Sequence, residues 1–324
     1  MKIENLALGE PIVNCVATIG SFDGVHRGHQ CLLGQVRCIA DERGLKAMAI
    51  TFGTSPKRVL GMTDAAQLTT TKERTTLLRQ QGMDEVAMLD FTPQMAEMSA
   101  RDFMQQVLKE QLHVTVLVIG YDHRFGRGRS EGFDDYVRYG KEIGIEVVRG
   151  EACIDEGEPV SSTRIRNLLV EGDVNEATRL LGYPYTLHGK VVGGYQEGRK
   201  MGFPTANIRP LDTDKLISAN GVYAVYVNVD DDENADAQSS KLKAHSSWLK
   251  GMLNIGNRPT LNNGRERSIE VHILGFEGDL YGKTITVEFA HRLREERTFS
   301  SIAELTEQLH RDKERVIELL AEKQ

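Results

Sequence analysis

Gly20-Ser21-Phe22-Asp23-Gly24-Val25-His26-Arg27-Gly28-His29 decides how the first half of the chain reads. It lies between an apolar run, Ile12 to Ile19, and a helix-like segment beginning near Gln30, so a strand hands over to a helix across it. The unpaired N–H groups and positive dipole end of such a helix favour an anion, a nucleotide phosphate among them. Gly20, Gly24 and Gly28 let the backbone come close to it. His26 and His29 are three apart, so on an incipient helix they share a face and both can reach one phosphate group. An imidazole N–H there stabilises charge that grows on a phosphoryl oxygen during transfer. Two other readings stand beside this one: a metal site, two ligands being short of the usual three, and a plain turn carrying two solvated histidines.

At 324 residues the chain is longer than most single cores, and two domains of ordinary size are expected. Apolar residues make up 40% and charged residues 27%, which fits a soluble enzyme, and no run approaches the roughly 20 apolar residues of a membrane span. Met1-Lys2-Ile3-Glu4 opens no signal peptide, so a cytoplasmic protein without a membrane partner is expected. Forty basic against 47 acidic side chains give a net charge of −7, which argues against a general nucleic-acid binder. Cys15, Cys31, Cys38 and Cys153 form no C-x-x-C pair and read as small apolar residues in a reducing compartment.

Up to about residue 150, strands expected near 13–19, 46–51, 85–90, 114–119 and 145–149 alternate with helix-length segments. That alternation predicts an α/β domain, a parallel sheet with helices on both faces and ligands at the carboxyl ends of its strands. Thr70-x-x-Glu73 reads as a capping box, and Gly82 and Gly144 as helix ends. Two short helices, 161–171 and 173–181, close a first domain at 1–182. From Tyr183 the texture changes to short strands, Thr186 to Val192, Gly221 to Val229, Trp248 to Ile255, Ser268 to Leu274 and Lys283 to Phe289, which predicts an antiparallel barrel over 183–324. Asp230 to Ser247 is polar and acidic at its start and reads as a loop. A last helix, opening on Ser301-x-x-Glu304, presents Ile302, Leu305, Leu309, Val316, Leu319 and Leu320 for packing on the barrel.

Ser161-Ser162-Thr163-Arg164-Ile165-Arg166 follows the fifth strand and opens a helix. Its hydroxyls can cap that helix, but capping leaves Arg164 unexplained; an arginine beside hydroxyls and free N–H groups is suited to a second phosphate. With both segments in view, the chain resembles the nucleotidylyltransferase superfamily of the H-x-G-H motif. More narrowly it resembles the N-terminal module of prokaryotic bifunctional riboflavin kinase/FAD synthetase. The resemblance implies an ATP site of Gly20, Phe22, Asp23, Gly24, His26, His29, Ser162, Thr163 and Arg164, with His29 nearest the α-phosphate and Ser162, Thr163 and Arg164 on the β- and γ-phosphates. It also implies flavin contacts in Gly120-Tyr121-Asp122-His123-Arg124-Phe125-Gly126, through Asp122. Two departures from the family pattern concern the FMN side: Gly53-Thr54-Ser55-Pro56 lacks a histidine, and Tyr121-Asp122-His123 stands where Glu-Asp-Phe is commoner.

In the second half, Gly193-Gly194-Tyr195-Gln196-Glu197-Gly198-Arg199-Lys200-Met201-Gly202-Phe203-Pro204-Thr205-Ala206-Asn207 is glycine-rich without being a Walker loop. Gly194, Gly198 and Gly202 would let it lie over phosphates. Pro204 extends the chain, so Thr205 and Asn207 project from one side as hard oxygen ligands for Mg²⁺ and its phosphates. An ordinary Gly-Pro turn is the competing reading. Glu270, in Ile269-Glu270-Val271-His272-Ile273, is placed as general base toward a substrate hydroxyl, against the plainer reading of a solvated strand residue. This half is similar to the riboflavin kinase module of the same family through Gly202 to Asn207, Asn254 to Thr260 and Asp279 to Gly282. The resemblance implies a six-stranded barrel, Thr205 and Asn207 serving Mg²⁺ and ATP, Glu270 activating the ribityl hydroxyl, and Arg294 near the flavin. Riboflavin, FMN and ATP are then the expected substrates, oligomeric state being open; the alternative is a riboflavin kinase whose adenylyl step is lost.

Overall fold

The computed structural model describes residues 3–5, 14–61, 66–121, 123–151, 154–155, 158–194, 197–229, 248–259 and 265–321. The chain divides into two compact units, Met1–Ser162 and Thr163–Gln324.

The first unit is built on strands β1 (Ile3–Asn5), β2 (Cys15–Ile19), β3 (Lys46–Phe52), β4 (Glu85–Leu89), β5 (Val114–Ile119) and β6 (Glu146–Arg149), in the order β1-β4-β3-β2-β5-β6. β2 to β6 are parallel, as the alternation predicts, with ends within two residues of the expected ones. β1 is an addition: it pairs antiparallel with β4, and three residues carry too little pattern to announce an edge strand. Every residue of β2 and of β4 is buried, as in a sheet covered on both faces. Successive residues serve opposite cores: Cys15, Ala17, Ile19, Met48 and Ile50 face one layer, Val16, Ala47, Ala49, Val86 and Val116 the other. Helix α1 (Arg27–Arg43) buries Leu33, Val36 and Ala40 against the second layer, and α2 (Thr71–Gln80) adds Leu78. α3 (Phe133–Ile143) covers the first layer with Tyr136, beside a helical segment at 100–109 whose second half, Met104–Lys109, is π-wound. Thr70 and Glu73 form the expected capping box, and Gly144 ends α3 at φ 77°. From β2 the chain runs to β3 and β4 on one side, then to β5 and β6 on the other. The loop after β2 therefore opens at the topological switch point of the sheet.

The second unit contains α4 (Ser162–Glu171) from Thr163 on, α5 (Val174–Leu181), strands β7 (Thr186–Val192), β8 (Ala206–Pro210), β9 (Gly221–Val229), β10 (Leu249–Pro259), β11 (Arg265–Ile273) and β12 (Thr284–Arg294), and α6 (Ile302–Leu319). The six strands close a barrel in the order β8-β11-β10-β9-β12-β7, all antiparallel. α4 and α5, which the chain pattern attaches to the first domain, pack with the barrel: Ser218 Oγ donates to Leu169 O at 3.0 Å and Arg292 reaches Glu171 O at 3.1 Å. α6 lays Leu309, Val316 and the following Leu320 against Phe203, Val222, Ala224 and Met252. Ile302 does not belong to that stripe; it sits one residue past the Ser301 cap and is 74% exposed. Cys15 and Cys38 are free thiols, but Cys31 is disulfide-bonded, so the expectation of reduced cysteines fails there. Asp230 to Ser247, the expected loop, lies outside the described residues.

Candidate active sites

The decapeptide turns the chain from β2 into α1 in a strained conformation. Phe22 and Val25 have φ of 47° and 34°, and Gly24 one of 81°. A β-branched residue in the left-handed region costs on the order of 1–3 kcal/mol, which surrounding contacts must offset. Asp23 supplies several of them. Its carboxylate accepts from the Leu68 and Thr69 N–H groups at 3.1 and 3.0 Å and from the Thr69 hydroxyl at 3.1 Å. Arg74, from α2, donates to Ser21 O at 3.2 Å and Phe52 O at 2.7 Å, fixing the ends of two strands at once. Burial pushes the Arg74 pKa down, partly countered by the Asp23 charge. Gly20 is needed for space, since a Cβ there would stand 3.2 Å from the Phe22 ring.

The two imidazoles stack, with ring centroids 3.7 Å apart and planes 18° from parallel. His26 caps α1, and its Nδ1 accepts from the His29 N–H at 3.4 Å. That bond leaves Nε2 as the protonated nitrogen of a neutral His26 ring. His29 is enclosed further: the Phe22 ring meets it edge-on at 5.2 Å, and burial, then His26 and His123, hold its pKa well below the usual histidine range. Its Nδ1 is buried with no hydrogen-bond partner among the described residues. A buried polar nitrogen of this kind, at a helix N-terminus, fits an anion that brings its own acceptors.

Ser162, at the start of α4, donates from Oγ to Asp23 O at 2.8 Å, so the second phosphate-suited segment begins on the first. Gly28 permits this approach, a Cβ there lying 3.2 Å from Val160 O. Thr163 and Arg164 follow in the chain, and Arg164 ion-pairs with Glu176 at 3.5 Å. Asp122 lies outside the described residues, while the half-buried His123 beside it donates its N–H to Gly120 O at 3.0 Å.

In the barrel, β8 pairs with β11 so that Asn207 stands opposite Glu270. Thr205 donates from Oγ1 to Glu270 Oε2 at 3.3 Å. Three side chains picked out by spacing thus share one face across a strand pair, supplying a hydroxyl, an amide and a carboxylate. The glycines have separate reasons. A Cβ on Gly194 would fall 2.1 Å from Asn207 Nδ2, one on Gly198 would fall 2.3 Å from Phe203 O, and Gly202 has φ 80°. The oxygen set suits Mg²⁺, a hard cation that keeps waters and shares phosphate oxygens. No group of three or more His, Cys, Asp and Glu able to hold a metal occurs among the described residues.

Arg294 is held in place by three contacts: Nη2 pairs with Asp312 of α6 at 2.8 Å, Nε donates to the same carboxylate, and Nη1 bonds Glu295 O. It anchors the last helix to the barrel. Sequence reading missed Arg74, Thr69, Asp312 and His272, whose ring nitrogen Nδ1 lies 2.8 Å from Pro204 O. Only His272 carried a signal, two residues past Glu270 on the same strand.

A phosphate-suited loop at a switch point and an oxygen-donor patch on a closed barrel describe a two-site phosphate-transfer enzyme. Models of known families match both halves, FAD synthetase over residues 10–164 and riboflavin kinase over residues 181–320. A bifunctional riboflavin kinase/FMN adenylyltransferase of Escherichia coli K12 is 36% identical over 311 residues, 96% of this chain and 94% of its own. The protein of the same name from Bacillus subtilis is 34% identical over 309 residues, 93% and 91% of the two chains. A crystal structure of a Streptococcus pneumoniae protein named as a macrolide-efflux protein superposes with a TM-score of 0.83 at 31% identity, covering 95% of each chain. The chain belongs to the bifunctional riboflavin kinase/FMN adenylyltransferase family. No helix among the described residues is long and apolar enough to cross a membrane.

Proposed function

We propose that the chain makes FAD from riboflavin in two ATP-dependent steps, phosphorylation at the barrel and adenylyl transfer at the loop after β2. In the first step Glu270 accepts the proton of the ribityl 5′-hydroxyl as its oxygen bonds to the γ-phosphorus of ATP, giving FMN and ADP. Thr205 orients that carboxylate, and Thr205 and Asn207 would hold Mg²⁺, which neutralises phosphate charge. Gly194, Gly198 and Gly202 keep the chain close over the nucleotide.

In the second step an FMN phosphate oxygen bonds to the α-phosphorus of ATP, and pyrophosphate leaves. His26 donates from Nε2 and His29 from its ring N–H to the oxygens on which charge grows. The low pKa of His29 makes its ring a neutral donor, and the pre-set loop means little reorganisation on reaction. Ser162, with Thr163 and Arg164 next in the chain, takes the β- and γ-phosphates; Asp122 and Arg294 remain proposed for the flavin. The reading takes the site of action as the cytoplasm, with no nucleic-acid or membrane partner.

The observation that carries this reading is the Thr205–Glu270 contact beside Asn207, combined with the stacked His26–His29 pair. The intact histidine pair favours two activities over a kinase alone. Incubating the protein with riboflavin, ATP and Mg²⁺ and resolving products by chromatography tests it. FMN and then FAD are expected; absence of both rejects it.

A further inference from the structure

His272 lies on β11 two residues after Glu270, so both side chains leave the strand on the same face. The pairing of β8 with β11 runs Asn207↔Glu270 and Ala206↔Val271, and there it stops. One step further the same register would set Thr205 opposite His272. Pro204, just outside the ladder, contributes a carbonyl, and His272 Nδ1 stands 2.8 Å from it. A carbonyl oxygen only accepts, so Nδ1 carries the proton and donates. Beside this bond, on the same strand, Glu270 receives the Thr205 hydroxyl at 3.3 Å. Two side chains of one strand therefore hold two successive residues of the Pro204-Thr205 segment.

The ring is itself fixed. His272 is 8% exposed and meets Phe203 edge-on at 5.2 Å, and Phe203 in turn meets His310 of α6 at 5.0 Å. Burial, with Lys313 adding to it, holds its pKa below the usual range, the bond to Pro204 opposing both. A ring so enclosed does not swing away from Pro204.

We propose that His272 is a positioning residue of the phosphoryl-transfer site: its Nδ1–H extends the β8–β11 ladder by one side-chain hydrogen bond and so keeps Thr205 turned onto Glu270. This rests on the assignment of Thr205, Asn207 and Glu270 to riboflavin phosphorylation. Without the bond, the residue after Pro204 has no ladder partner on this strand, and its hydroxyl samples orientations off the carboxylate. Small displacements of a positioned group cost large factors in rate.

The test uses four full-length variants. His272→Leu keeps the branch and the bulk of an asparagine but has no donor. His272→Asn places an amide N–H the same number of bonds from Cβ as Nδ1. His272→Gln places it one bond too far, and Glu270→Gln removes the base. The readouts are kcat and KM for riboflavin phosphorylation, conversion of supplied FMN to FAD, and Tm. The expected result is a kcat at least ten-fold lower in His272→Leu and His272→Gln, within three-fold of wild type in His272→Asn, and unchanged FMN conversion in all three. If His272→Leu fails to fold, the contrast between Asn and Gln carries the same decision. Phosphorylation within two-fold of wild type in His272→Leu or His272→Gln, or equal loss in Asn and Gln, overturns the proposal. Full phosphorylation by Glu270→Gln would instead overturn the site assignment on which it stands.

Discussion

Adding one methyl group at Gly194 should disable the kinase while leaving the fold in place. A Cβ at this position lies 2.1 Å from Asn207 Nδ2, and ordinary contact begins near 3.4 Å, so the Asn207 amide must retreat by at least about 1.3 Å. The obstacle is the whole Asn207 amide, its Cγ standing 2.6 Å from the added Cβ, which clears by turning about the Cα–Cβ bond, and Gly194 has no positive φ to strain an alanine. The off-rotamer cost of about 0.5–1.5 kcal/mol is offset by the 0.4–1 kcal/mol that Gly→Ala gains through the unfolded state. Net stability should therefore change by less than about 1 kcal/mol. Function responds differently, because the amide leaves its place opposite Glu270. Loss of one oriented oxygen ligand costs about 10–100-fold in activity, or 1.4–2.8 kcal/mol. Steady-state phosphorylation of riboflavin in Gly194→Ala, Asn207→Ala and the double variant reads this directly. The double variant should be no worse than Asn207→Ala, since both changes remove the same group. Gly194→Ala activity within two-fold of wild type, or additive losses in the double variant, would refute the packing argument.

Asp312→Asn leaves the Arg294 guanidinium without its counter-charge in a pair whose side chains are 5% and 19% exposed. Breaking such a pair costs about 3 kcal/mol, a fall in Tm of about 6–12 °C for a unit of this size by calorimetry; a fall below 2 °C would show that the anchor is dispensable. The low His29 pKa predicts a pH dependence of stability. The unfolded chain binds a proton on this residue near pH 6.5 that the folded chain refuses, so stability is full above that pH and falls as pH decreases below it. Urea titrations from pH 7.5 to 5 should show a shallower slope in His29→Gln than in wild type, His272 contributing equally to both; identical slopes would contradict the buried, neutral ring.

What could be read from the chain followed short-range physics. The β2 to β5 strands announced themselves as apolar runs because both faces of the sheet are covered, and the Thr70–Glu73 box and Gly144 cap are local events. β8 was harder: Ala206-Asn207-Ile208-Arg209-Pro210 is short, ends in proline and carries a single β-branched residue, and one of its two partner strands lies more than 60 residues away. α4 and α5 have helical patterns that say nothing of which unit they join; Ser218 and Arg292 decide that. At the proposed sites, His26, His29, Thr205, Asn207 and Glu270 stand out in the sequence because their chemistry is unusual for their positions. Asp23, expected at the ATP site, also binds the N–H groups of Leu68 and Thr69 with its carboxylate, partners that no local pattern announces. Arg74 could not be found in the sequence, because an arginine within a polar helix looks solvated until the two carbonyls it binds are seen.

The central claim is a division of labour between two sites on one chain, and separate assays of two single variants test it most directly. With riboflavin, ATP and Mg²⁺, His29→Ala should accumulate FMN and stop, whereas Glu270→Gln should make no FMN yet convert supplied FMN to FAD at the wild-type rate. Equal loss of both activities in each variant would contradict it.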